Sequence, residues 1–392
     1  MVEGVRPDGL VLDLQVIQEF VAIEAEAAGR SRADPACAEG TVRRPGAVSS
    51  PASAQVAVAD DVGVTPEAGH LLEALQAVPL VDHHAHGILR GRPSLDEFRG
   101  LFSESPDPRQ WPHVASGFTY RRAIRELADF FGCEASEAAV YEHRLGRDPS
   151  EYASALLRAT GTELLLVDDG FPPAGEGVEW EELGELAGCR SLPVLRIETH
   201  QAEDVPTARE RGFVALKTIA AYRGGLDRVS EEVVAALEVN ERTGDPLPVQ
   251  VHCGFGDWDL YLWDSDPSYL KPLIERFRRT PFVLLHCYPF VREAGWLAHV
   301  YGNVWFDVSL TIPHVARPAE ALREALELAP VSKLLYASDA ARTPELYYLA
   351  AKWWREALAE VLAEGPAPDD AERDARMILR ENAIRLYGLE SP

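Results

Sequence analysis

Cysteine is scarce and poorly placed for bridging. Only five of 392 residues are cysteine, at positions 37, 133, 189, 253 and 287. An odd number with no Cys-x-x-Cys pair excludes a disulfide framework and a zinc ribbon as organising devices, and it fits a reducing cytoplasm. Long apolar runs are missing too: no stretch reaches the ~18 uninterrupted residues of a spanning helix, and Glu3 and Asp8 precede any apolar run, unlike a signal peptide. Positive charge is in deficit, with 38 Lys and Arg against 63 Asp and Glu and a formal net charge of -25. Such a surface repels nucleic acid and anionic membrane. The expectation is therefore a soluble cytoplasmic protein whose partner is a small molecule, with a homo-oligomer left open.

What is present points to one large core. Hydrophobic residues make up 46% of the chain, and α/β barrels commonly fill ~250 residues as a single domain. Residues Arg30 to Val64 run through RRPGAVSSPASA, rich in Ala, Pro, Ser and Gly, and cannot bury enough apolar area to fold. Residues 1-65 are thus expected to be a largely disordered extension, with an amphipathic helix over Leu12 to Ala28, and 66-392 a single barrel domain. Within it, strand-like runs recur at Leu80 to Asp82, Glu163 to Val167, Val194 to Ile197, Phe213 to Lys217, Val249 to His252, Phe282 to His286, Val304 to Val308 and Leu334 to Tyr336. Eight continuous apolar runs separated by helical patterns such as SEEVVAALEVN predict an α/β fold, a (β/α)8 TIM barrel. The long interval Ser94 to Thr160 predicts a helical insertion after the first strand, whereas Glu198 to Gly212, with Pro206 inside, is short for a parallel crossover.

Four runs end in metal-ligating residue types: PLVDHHAH (79-86), VQVHC (249-253), FVLLHC (282-287) and LLYASD (334-339). A hydrolytic metal needs nitrogen and oxygen donors converging from several rigid elements, and barrel strand ends supply that convergence. Alternation along a strand puts Asp82, His84 and His86 on one side and His83 on the other, so His84 and His86 can hold one ion. His252, His286 and Asp339 recur at later strand ends. Cys253 and Cys287 follow the histidines directly and are expected to face the helices as buried thiols. Lys217 ends the run GFVALK in a chain with only four lysines. It could bridge two metals after carbamylation, bind a substrate carboxylate, or pair with Asp339 or another acid. In the following loop Tyr222 and Arg223 suit substrate binding, Arg223 by a bidentate grip on a carboxylate or else by a loop salt bridge. Asp257 could meet a substrate amine or cap a helix.

With Asp82-x-His84-x-His86 followed in order by His252, His286 and Asp339, the chain resembles the amidohydrolase superfamily. The segments LLLVDDGF, GFVALKTIAAYRGGL, VHCGFGDWDL, YASDAARTPELYYLAA and ILRENAIRLYGL resemble its amidohydrolase-2 group, related to the N-terminal domain of nodulin and glutamine synthetase-like proteins. The resemblance implies a metal-dependent hydrolase in which His84, His86, His252 and Asp339 ligate zinc, or manganese, with one or two ions. His286 would be a ligand of a second ion or a transition-state stabiliser, and Lys217 a bridging ligand if two ions are present. Asp339 would move the proton while the enzyme cleaves an amide C-N bond in a small carboxylate-bearing substrate, such as a γ-glutamyl amide. Non-oxidative decarboxylation on the same site is the enzymatic alternative, and a regulatory barrel without catalysis the other.

Overall fold

A computed structural model describes residues 65–389 apart from Ala174 and Pro366; the N-terminal extension and the helix expected over 12–28 lie outside the described residues. The first of the described helices, Pro66–Gln76, starts on the Thr65 N-cap with proline in its first turn. Seven strands follow, β1 (Leu80–Ala85), β2 (Thr162–Asp168), β3 (Arg190–Arg196), β4 (Ala215–Thr218), β5 (Val249–Cys253), β6 (Phe282–His286) and β7 (Val304–Phe306). Each pairs in parallel with its neighbour in sequence order. The eighth expected run is not a regular strand, yet it stands in the eighth place. Leu335 N donates to Phe306 O at 3.0 Å on one side, while on the other Asp339 N donates to His84 O at 3.0 Å and His86 N to Ala340 O at 2.9 Å. These bonds join the two edges of the curled sheet.

The continuous apolar runs are explained by burial on both faces. Val81, Leu164, Leu166, Val194, Ala215, Val283, Leu285 and Leu335 pack together inside the curl, where Ala383 and Tyr387 join them. The alternate strand residues, among them Leu216, Val249, Leu284 and Phe306, pack outward in the larger cluster. Each buried Val, Leu or Phe among them contributes roughly 1.5–3 kcal/mol, and the inner layer forms the floor on which the strand-end side chains rest.

The insertion is present as five helices between Leu95–Gly100 and Pro149–Ala159. Its first helix is set by a Ser94/Glu97 capping box and its last by the Asp148 carboxylate over two backbone N–H groups. The short connection after β3 contains two 3-10 turns, Ile197–Thr199 and Ala202–Thr207, in place of an α-helix. Among the described residues no helix is long and apolar enough to cross a membrane.

Candidate metal centre

Alternation alone carries several side chains to the mouth of the barrel. The inward series runs from Leu166 to Asp168, from Val194 to Arg196, from Ala215 to Lys217 and from Gln250 to His252. His84 and His286 arrive by breaking it. The expectation that 82, 84 and 86 share one side is corrected here, because the pairing of β1 with β2 shifts register between Asp82 and Ala85. His83, two residues beyond inward-facing Val81, enters the barrel by regular alternation, with Nδ1 3.0 Å from the Tyr387 hydroxyl and Nε2 2.9 Å from Asp307. Asp82 instead accepts from Ser338 N at 2.9 Å. His286 follows inward-facing Leu285, so regular geometry would send it outward; its φ of 66° redirects it. Cys287 (61°) and Asp339 (49°) share this left-handed backbone, which costs a non-glycine residue about 1–3 kcal/mol.

The strand ends then converge. Asp339 Oδ1 lies 3.0 Å from His84 Nε2 and 3.3 Å from His86 Nε2, and Asp339 Oδ2 lies 3.6 Å from His286 Nδ1. The His252 ring is 4.6 Å from the His286 ring, centre to centre, and its Nε2 is buried with no hydrogen-bond partner. Lys217 is buried and places Nζ 3.1 Å from His84 Nε2. The ion pair with Asp339 considered from the sequence is not formed: among the described residues no carboxylate oxygen lies within 4.0 Å of Lys217 Nζ. Desolvation lowers the Lys217 pKa below its ordinary value. Two triads, His84–His86–Asp168 and His84–His286–Asp339, each bring their donor atoms within 4.8 Å of one another.

The hydrogen-bond network fixes the histidine tautomers. Gln250 Nε2 donates to the His83 carbonyl at 2.7 Å and to the Tyr387 hydroxyl at 3.0 Å, which turns its Oε1 toward His84 Nδ1 at 2.8 Å. The His84 proton is thus assigned to Nδ1, leaving a lone pair on Nε2. Burial first, and the Lys217 charge second, lower the His84 pKa to about 3, so the ring is neutral. Likewise the Ser309 hydroxyl donates to Asp307 Oδ1 at 2.6 Å and accepts from His286 Nδ1 at 2.8 Å. Burial lowers His286 to about 4, and its proton is likewise assigned to Nδ1. His84 Nε2 and Asp339 Oδ1 therefore face each other as two lone-pair atoms, and Asp339 Oδ1 is buried without a donor. Lys217 Nζ meets His84 Nε2, but Asp339 Oδ1 has no donor, which is unfavourable in a dry interior unless a cation meets it. Imidazole and carboxylate donors suit zinc and similar divalent ions, so the cluster could hold a metal.

Above the cluster is a cavity of about 400 Å³. Tyr222, Arg223 and Asp257, the residues expected to meet substrate, line it together with Lys217, His252, His286 and Asp339. Arg223 is 54% exposed and lies 3.7 Å from Asp259, the loop salt bridge allowed for from sequence. Asp257 caps no helix among the described elements. The residue is exposed along its loop, but its carboxyl meets Glu104; desolvation, then the Glu104 charge, push its pKa up to about 7. Asp168, Arg196, Glu104 and Arg342 complete the surroundings and were missed from sequence, although Asp168 and Arg196 were findable as inward positions at strand ends. Cys253 and Cys287 are buried free thiols within the outer cluster, as expected.

Residues 183–389 match the amidohydrolase family, a span that includes Lys217, His252, His286 and Asp339. Protein fluG of Emericella nidulans is 28% identical over 407 residues, covering 81% of this chain and 47% of fluG; the chain spans about half the length of that relative. Among solved structures, a Lactobacillus casei protein described as a metal-dependent hydrolase superposes with a TM-score of 0.71 at 27% identity, over 81% of this chain and 97% of the other. A uronate isomerase of Bacillus halodurans shares the fold, with a TM-score of 0.59 at 14% identity over 83% and 96% of the two chains.

Proposed function

Because the chain belongs to the amidohydrolase family, we propose that it is a metal-dependent hydrolase cleaving the amide C–N bond of a small carboxylate-bearing compound, with γ-glutamyl amides the first class to try. One observation carries this: Asp339 Oδ1, buried without a donor, lies 3.0 Å from His84 Nε2 and 3.3 Å from His86 Nε2, below the cavity. His84, His86, His252 and Asp339 would hold the first ion, zinc or manganese. His286 would either join a second ion, with Lys217 bridging, or stabilise the transition state. A divalent ion there supplies Lewis acidity, lowering the pKa of water toward neutrality and polarising a carbonyl.

The protein's own groups do the rest. Asp339 accepts the proton of the attacking water and returns it to the departing amine nitrogen. Gln250 and Ser309 keep the Nε2 atoms of His84 and His286 unprotonated through the site-facing side of the rings. Tyr222, Arg223 and Asp257 contact substrate from the cavity wall. The γ-glutamyl reading is supported by the resemblance of the chain to nodulin and glutamine synthetase-like proteins.

Elemental analysis of protein purified without chelator, in wild type, His252→Ala and Lys217→Ala, tests the reading alongside amine release from γ-glutamyl amides. Bound metal in wild type, lost in His252→Ala together with amine release, is the expected result. Loss of one of two equivalents in Lys217→Ala identifies a binuclear site. Release of carbon dioxide from aromatic or amino acids, without amide cleavage, would move the assignment to decarboxylation. Failure to take up zinc or manganese would remove the catalytic reading.

A further inference from the structure

Arg196 and Arg223 both line the cavity, and only one of them is built to hold an anion. Arg196 closes β3 with its side chain 11% exposed. One edge of its guanidinium is fixed: Nε lies 3.1 Å from Asp168 Oδ1, and Nη2 lies 2.6 Å from Asp168 Oδ2. No bond to Nη1 is present among the described residues, so the remaining edge is available to the cavity. The path of the side chain is also prepared. A Cβ at Gly170 would lie 2.3 Å from Arg196 Cδ and 2.4 Å from its Nε, so any larger residue would displace the guanidinium. Arg223 differs on each point, being half exposed, bonded through Nη1 to the Tyr222 carbonyl at 3.0 Å, and loosely paired with Asp259.

We propose that Arg196 is the anchor for a carboxylate of the substrate, which it takes through Nη1, with Asp168 and Gly170 as positioning residues. The inference rests on the carboxylate-bearing substrate proposed above and names the residue that recognises it. A guanidinium already held along one edge gives up little rotamer freedom when an anion docks. Its planar fork leaves a defined N–H direction, which a lysine in its place would not retain once its ammonium had turned to Asp168. The ligand class is therefore a small carboxylate with its anionic end toward β3.

Binding of glutarate to the zinc-loaded full-length protein, followed by calorimetry with metal content measured on each sample, tests the assignment. Arg196→Lys keeps a positive charge beside Asp168, so the fold and the metal are expected to survive while glutarate binds roughly 10- to 100-fold more weakly. Gly170→Ala leaves the guanidinium chemically intact but moves it, and is expected to weaken binding as well. Arg223→Ala, which removes a half-exposed contact at the cavity wall, should weaken glutarate binding less than Arg196→Lys does. Wild-type affinity in Arg196→Lys, or a loss confined to Arg223→Ala, would overturn the assignment to Arg196 while leaving a carboxylate-bearing substrate in place. If zinc-loaded wild type binds no glutarate, the carboxylate reading goes, and the anchor with it.

Discussion

Gln250 Oε1 lies 2.8 Å from His84 Nδ1, and this contact decides which nitrogen of His84 faces the site. Gln250 can serve only because its amide nitrogen is occupied by the His83 carbonyl and the Tyr387 hydroxyl. Replacing it with leucine leaves His84 free to carry its proton on either nitrogen and strands a buried carbonyl. Outer partners of this kind are typically worth 10–100-fold in metal affinity or activity. Gln250→Leu is accordingly expected to bind zinc about 10–100-fold more weakly, as read by competition with a chromophoric chelator.

Asp339→Asn keeps the shape of the side chain and removes its capacity to accept a proton. A fall in kcat of about 10²- to 10⁴-fold is expected, the range for loss of a general acid–base group. Metal content in the same sample separates proton transfer from ligation: a variant still carrying metal but unable to turn over assigns the loss to the proton.

Asp82 is buried, with Oδ2 unpartnered, and desolvation raises its pKa from 3.8 to about 7 despite its bonds to Ser338. Between those two values the folded state holds a proton that the unfolded chain releases. The Asp82 contribution to stability is therefore fully present below pH 3.8 and is lost as the pH rises through about 7. Asp82→Asn does not titrate. In metal-free protein its melting temperature, relative to wild type, should climb across that window and level off above it; a constant difference would contradict the buried, protonated carboxyl.

Leu166 lies fully buried in the inner layer, below Asp168. Leu166→Ala is expected to destabilise the barrel by about 2–5 kcal/mol, the cost of a core cavity. Urea unfolding that moves the midpoint without altering the slope would check it.

Seven of the eight apolar runs became strands because both faces of each are buried and the run itself is the signal. The eighth, at 334–336, was legible as a position but not as a strand, since its pairing on both sides is irregular. At the site, residue types and order pointed to the histidines and Asp339 that the strand ends bring together. The reason His84 and His286 face inward was not legible: a register shift in β1 and a left-handed φ at residue 286 depend on neighbouring strands. Arg223 drew attention as a loop arginine, whereas Arg196 was readable from alternation two residues beyond inward-facing Val194. The Glu104–Asp257 pair joins the helical insertion to the loop after β5, a long-range meeting that no local pattern reports.

The bonds that join the sheet's edges have a consequence for biosynthesis. Asp82 reaches Ser338 across 256 residues, and His83 reaches Tyr387 across 304. At ~5–20 residues per second, a ribosome needs roughly 15–60 s between making His83 and making Tyr387. Throughout that interval β1 has an open edge and the inner layer lacks its tyrosine plug, so the nascent chain exposes the surfaces that chaperones recognise. His84 meets Asp339 only when these edges close, so the donor set of the proposed metal site is assembled late in synthesis.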